Sequence, residues 1–147
     1  MEKRYRLLTK SNLDGIVSAI LLKHLDIIEE VTFIHEEEMI KGDIKVSLND
    51  ITVNLPYTRG VHQAFDYHDN TSMHDIIMNE NHVFDTIAGS ASDVIFSHYH
   101  DRLKEDSLYA SLAQMATDAT NHTLTMPDRM YVYNQYQTLF DKKPLEA

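Results

Sequence analysis

The chain has 147 residues, a formal net charge of −10 and no cysteine. The missing cysteine excludes a disulfide framework, a thiolate nucleophile and a cysteine-type zinc site. The acidic balance excludes general duplex nucleic-acid binding, which rests on clustered Lys and Arg against the phosphate backbone.

One compact domain over residues 1–147 is the natural expectation, long enough to bury a real core. Tyr5 to Thr9 is an apolar run that stops at a polar turn, and it predicts a first strand. Ile16 to Leu25 carries helical spacing. Val31 to His35 predicts a second strand, Ile44 to Leu48 a third with alternating faces, and Val61 to Phe65 a short fourth ending at Asp66. This alternation points to βαβ units and an α/β fold, with a mostly parallel sheet flanked by helices. From Ser90 onward the strand signals fade. Ala91 to Leu103, Ser107 to Ala119 and Pro127 to Phe140 carry helical spacing, so the C-terminal half is helical, with Pro127 suited to a first turn. The start of the chain lacks the apolar core of a signal peptide, and no apolar run reaches bilayer length, so a soluble cytoplasmic protein without membrane contact is expected.

Asp14-Gly15 closes the turn after the first strand, where open α/β sheets place their ligand sites. Asp50, Asp66 and Asp118 are three further acidic candidates, and His68 follows Asp66 by two residues. Four carboxylates and an imidazole drawn from separate loops suit hard divalent metal ions. Each alone reads as an ordinary loop carboxylate; their order and context favour a site. Other histidines carry less. His98 and His100, beside Asp101, lie at the end of a helical stretch, where residues two apart diverge, and read as surface groups. His74, Asp75, His82 and Asp85 fall in a polar stretch that reads as loop. His24 and His35 read as packing or capping groups, and Glu36-Glu37-Glu38 as a solvated face or helix start.

The segment Thr9-Lys10-Ser11-Asn12-Leu13-Asp14-Gly15, followed by Ser18-Ala19, resembles the first motif of the DHH phosphoesterase superfamily, closest to its exopolyphosphatase-related branch. The likeness continues in order. Leu48 to Tyr57 resembles the second motif, with Asp50 as its aspartate. Gly60 to His68 resembles the third, the Asp-His-His signature, and Ala116-Thr117-Asp118-Ala119 the fourth. Gly89-Ser90-Ala91-Ser92 resembles the small-residue helix start between the third and fourth. The resemblance implies two divalent ions, most simply Mn²⁺ or else Mg²⁺, and hydrolysis of a phosphoanhydride or small phosphodiester. On that template Asp14, Asp50, Asp66 and Asp118 hold the ions, with Asn12 as a neutral ligand. Asp50 bridges the two ions and, with His68 facing the substrate phosphate, carries the catalysis. A bridging carboxylate holds such ions about 3.5–4 Å apart and acidifies the water between them. The implied partners are a phosphate-containing small molecule or a short oligonucleotide.

The departures from the motifs are as telling as the matches. Asn12 replaces a second first-motif aspartate, Tyr67 replaces the first histidine of Asp-His-His, and Lys10 stands where some relatives place a further acid. A neutral phenol is a poor ligand for Mn²⁺ or Mg²⁺ at neutral pH. Each ion thus loses a ligand, and a single weakly held ion is one outcome. The family's C-terminal substrate-gripping domain is also expected to be absent from this chain. Two readings stand side by side: a phosphoesterase with impaired activity, and a catalytically inactive binding or interaction protein on the same fold. Tyr131, Tyr133, Tyr136, Leu139 and Phe140 give the last helix an apolar face, by default for core packing and alternatively for homo-oligomerisation.

Overall fold

A computed structural model describes residues 3–56, 58–67, 81–85 and 87–140. Its elements run β1 (Tyr5–Thr9), α1 (Leu13–His24), β2 (Ile28–Phe33), α2 (Glu36–Ile40), β3 (Asp50–Val53), β4 (Gln63–Asp66) and β5 (His82–Phe84). Four helices follow: α3 (Ala91–His98), α4 (His100–Leu103), α5 (Ser107–Thr120) and α6 (Met126–Phe140). The expected α/β architecture with a helical second half is what the chain adopts.

The five strands form one sheet in the order β2-β1-β3-β4-β5, and every pair is parallel. Strand side chains alternate between faces, which divides the core in two. Leu7 faces the main cluster, which gathers Val17, Ile20, Leu21, Ile51, Val53, Phe65, Ile95, Leu112 and Val132 from the sheet and from α1, α3, α5 and α6. Leu8 faces a smaller cluster with Ile34, Met39 and Leu55. Sandwiched between the sheet and three other helices, α1 is buried at nine of its twelve positions. Its start is fixed by Asn12, whose Oδ1 accepts from Gly15 N at 2.8 Å, a side-chain cap for an otherwise unpaired donor. Gly15 is required there by space: a Cβ would drive into the Lys10 carbonyl oxygen.

Several elements differ from the sequence expectation; α1 begins at Leu13 rather than Ile16, and β4 at Gln63 rather than Val61. The second strand begins and ends earlier, at Ile28–Phe33. The stretch expected as a third strand, residues 44–48, is loop, and the strand begins at Asp50. Ile44 and Val46 alternate because both pack from the loop onto the smaller cluster, while Leu48 is 68 % exposed. The fifth strand falls at His82–Phe84, in a stretch expected to be loop. It is only three residues long, yet His82 is buried and its backbone extends the sheet. The predicted helix from Ala91 to Leu103 breaks at Tyr99 into α3 and α4.

The last helix docks on α1, and its ring pair Tyr136–Phe140 stacks at 4.5 Å, with Phe33 6.1 Å from Tyr136. Tyr136, Leu139 and Phe140 therefore serve the core, as the default reading expects. No described helix is long and apolar enough to cross a membrane.

Candidate functional site

The strand order reverses between β1 and β3: β1 leads outward to β2, and β3 leads the other way to β4 and β5. In open parallel sheets the crevice at such a switch point, outside the carboxyl ends of the strands, is where ligands bind. Here it is framed by Thr9 at the end of β1, Asn54 just after β3, Asp66 and Tyr67 at the end of β4, and the first turns of α1 and α3. Thr9 Oγ1 donates to Val53 O at 3.0 Å and ties two of these strand ends together.

Asp14 is 4 % exposed, in the first turn of α1. Its carboxylate is turned onto the start of α3. Oδ2 accepts from Ala91 N at 2.9 Å; Oδ1 accepts from Ser92 N at 2.9 Å and from Ser92 Oγ at 2.6 Å. Asn54 Nδ2 adds a longer contact to Oδ2 at 3.4 Å. A buried carboxylate needs such donors to offset its lost hydration. The unpaired amides of a helix start, with their partial positive charge, supply them. Around this contact Ser90 caps α3 through Asp93 N and meets Thr117 Oγ1 at 2.9 Å. Gly89 lies so close to Thr117 that a Cβ would sit 2.5 Å from its methyl.

Asp66, also 4 % exposed, accepts from the Tyr67 backbone N at 2.8 Å. The Tyr67 ring packs on the main core cluster, and burial pushes its hydroxyl above its ordinary range. The negative charge of Asp14 pushes the same way. A hydrogen bond with the Thr120 side chain opposes it, and Asp66 adds a smaller upward push. Both carboxylates thus favour the protonated phenol. Asn54, with φ of 61° and 4 % exposure, has its backbone N bonded to Phe65 O at 2.9 Å. Its Oδ1 is a buried acceptor with no hydrogen-bond partner among the described residues.

Among the described residues, the other expected ligands, Asp50, Asp118 and Asn12, have their side chains engaged elsewhere. Asp50 is the first residue of β3, paired in register with Arg6, so it lies at the amino edge of the sheet, with Asn54 at the end that faces the crevice. There its carboxylate takes a bidentate grip from Arg6, at 2.8 and 3.0 Å, and accepts from Ser47 N at 2.9 Å. A bridging role for Asp50 is incompatible with that position: the strand starts at Asp50, and four residues of extended chain carry the backbone away from it to the crevice. Asp118 is half-buried on α5, where Oδ1 accepts from Gln114 Nε2 at 3.0 Å on the exposed flank. The residues of α5 that reach the site's framework are Thr117 and Thr120, one turn apart on a different face. Asn12 spends its amide oxygen as the α1 cap. His68 lies outside the described residues. Among those residues, no group of three or more His, Asp or Glu could hold a metal ion.

Among the described residues the crevice therefore offers two carboxylates, one of them already carrying three short hydrogen bonds, together with a neutral amide and a protonated phenol. Divalent Mn and Mg centres are built from several charged oxygen ligands. The described donors alone do not make up a two-ion centre. Sequence reasoning missed Asn54 and Ser92. For Ser92 the signal was present in the small-residue run Gly89-Ser90-Ala91-Ser92; for Asn54 it was the polar residue that ends the apolar run Ile51-Thr52-Val53.

No family model matches the chain, and no curated protein matches it. Among solved structures it is similar to the pGpG-specific phosphodiesterase PggH from Vibrio cholerae, with a TM-score of 0.72 and 25 % sequence identity. That likeness covers 94 % of this chain and 52 % of the other, so the chain spans about half the length of that enzyme. The fold is DHH-like. The likeness does not reach the exopolyphosphatase-related branch in particular.

Proposed function

We propose that this chain is a DHH-fold protein that acts by binding rather than by two-metal hydrolysis. The observation that carries the reading is the Asp14 carboxylate, saturated by the Ala91 and Ser92 backbone amides and the Ser92 hydroxyl. A ligand to a divalent ion would have to give up those bonds, each a charge-assisted contact of the stronger kind. Asn54 at the end of β3 and Tyr67 after β4 offer neutral groups where a second ion would need charge. Self-association through α6 is the partner contact that accompanies this reading. Met126, Met130 and Tyr133 recur at helical spacing on it and are 66, 51 and 39 % exposed.

The competing reading is a metal-dependent phosphoesterase of impaired activity, using one Mn²⁺ or Mg²⁺ ion held through Asp66 and Asp14. It is supported by the likeness to a phosphodiesterase over nearly the whole chain. Turnover of pGpG and of a chromogenic phosphodiester, with Mn²⁺ supplied and with chelator, separates the two. The binding reading expects no metal-dependent turnover; turnover abolished by Asp66→Asn would establish the enzyme.

A further inference from the structure

The edge of the sheet opposite the crevice carries a second concavity of about 340 Å³, formed at the amino ends of β1 and β4 and by α4. Tyr5 and His62 form one wall, their rings stacked at 4.0 Å and within 10° of parallel. Lys3 Nζ stands 5.3 Å from the Tyr5 ring centre. Across the concavity, Arg102 is held by a hydrogen bond from Nη2 to Leu25 O at 3.0 Å and lies 5.8 Å from the Tyr99 ring centre. The acid in the lining, Asp26, is gripped through both oxygens by Arg4 at 2.7 and 2.9 Å, so its charge is already matched. In a chain of net charge −10 this gathers two cations, an imidazole and two aromatic rings around one cleft.

We propose that this cleft binds a phosphomonoester carried on an aromatic body, of the nucleoside monophosphate class. Arg102 and Lys3 supply the donors and charge that a phosphate dianion requires, Arg102 with the planar fork that suits it. The outer face of the His62–Tyr5 stack and the Tyr99 ring offer surfaces for the aromatic body. Partial burial and the nearby Lys3 charge hold the His62 imidazole below its usual range, so at neutral pH the ring is an uncharged partner that can donate to phosphate. Glu29, on the adjoining strand, acts on Arg4 and does not line the cleft, and Asp101, next to Arg102 in sequence, lies 3.6 Å from Lys104 Nζ. None of these residues belongs to the crevice at the carboxyl ends, so the site stands whether or not the chain hydrolyses anything.

The test is titration of the full chain with adenosine 5′-monophosphate, adenosine and inorganic phosphate, followed by amide chemical shifts and calorimetry. The monophosphate should bind saturably, perturb the amides of Tyr5, His62 and Arg102, and bind more tightly than adenosine or phosphate alone. Lys3→Gln and Arg102→Gln should each weaken it by about fivefold or more, the loss expected for one charge-assisted contact. Lys3 is exposed at the start of the described chain, so its variant separates lost binding from lost folding. Overturning results are an absence of saturable shifts at millimolar ligand, unchanged affinity in both variants, or inorganic phosphate binding as tightly as the monophosphate.

Discussion

Ser92 holds Asp14 twice, through its backbone N at 2.9 Å and its hydroxyl at 2.6 Å, across 78 positions of sequence. The same hydroxyl also reaches Asp14 O at 3.0 Å, so the first turns of α1 and α3 are clasped at backbone and side chain together. This makes Asp14 an internal counter-ion for a helix start, a position that in other proteins receives a ligand's anion. Asp14→Ala should therefore cost stability with or without metal. Three donors would lose a buried charged acceptor, for a loss of about 2–4 kcal/mol. Denaturant unfolding in chelator measures it; a cost that appears only when Mn²⁺ is present would mark Asp14 as a ligand instead.

Asp50 should behave as a structural residue of the amino edge. Asp50→Ala strands the half-buried Arg6 and the Ser47 amide, which should cost about 1–3 kcal/mol. Arg6→Met with Asp50→Ala should recover part of that loss, since it removes the charge left behind. Mn²⁺ affinity should be the same in the wild-type chain and in Asp50→Ala. A variant of normal stability and altered metal binding would return Asp50 to the site.

Close approach fixes two glycines. Gly15→Ala should be strongly destabilising, by about 3 kcal/mol or more, because the added methyl meets backbone that cannot move alone. Gly89→Ala meets the Thr117 methyl, and Thr117→Ser should rescue it by removing that methyl while keeping the hydroxyl for Ser90. Thermal melts of the single and double variants read this out; an absence of rescue would mean that the α3 start tolerates the methyl in some other way.

Tyr67 supplies a pH signature. Its folded-state pKa is raised, chiefly by burial and next by Asp14, so the folded state holds the proton more tightly than the unfolded chain. Its contribution to stability is whole below the unfolded value of about 10 and is lost as pH rises through the folded value. Tyr99, Tyr109 and Tyr136 are shifted the same way and add to the decline. Stability should therefore be flat near neutrality and fall above about pH 10, with a shallower fall in Tyr67→Phe. Ultraviolet titration should find the Tyr67 phenolate forming earlier in Asp14→Asn, where one of the two upward charges is gone.

The strands that frame the crevice were legible where period and turn chemistry agreed. Tyr5 to Thr9 was read correctly because its apolar run stops at a polar turn, but α1 begins at Leu13, ahead of the expected Ile16, because Asn12 caps it and draws Asp14 and Gly15 into its first turn. Ile44 and Val46 misled because their alternation serves a loop that covers the smaller cluster, and alternation alone does not distinguish such a loop from a strand. That shift carried Asp50 to the wrong end of β3 and hid Asn54. His82 to Phe84 is too short for a periodic signal, and its strand exists because β4 offers an edge to pair with. The tie from Asp14 to Ser92 joins residues far apart in sequence, and only the packing of α1 against α3 brings them together.

Placing charge at the right strand end should strengthen the crevice as a metal site. Asn54→Asp with Tyr67→His adds a carboxylate and an imidazole beside Asp14 and Asp66, and should raise Mn²⁺ affinity by about tenfold or more, with metal-dependent thermal stability following by linkage. Asn12→Asp with Tyr67→His should gain less, because residue 12 serves as the α1 cap. Equal gains from both pairs would mean that residues 12 and 54 are equivalent at the crevice.

The most direct measurement is calorimetric titration of the native chain with Mn²⁺ at neutral pH, with metal content determined on protein purified without chelator. The account predicts no tight two-ion binding and no metal-dependent turnover of pGpG by the same sample. Two equivalents of tightly held Mn²⁺, lost together in Asp14→Ala and Asp66→Ala, would contradict it and restore the chain to the working phosphoesterases.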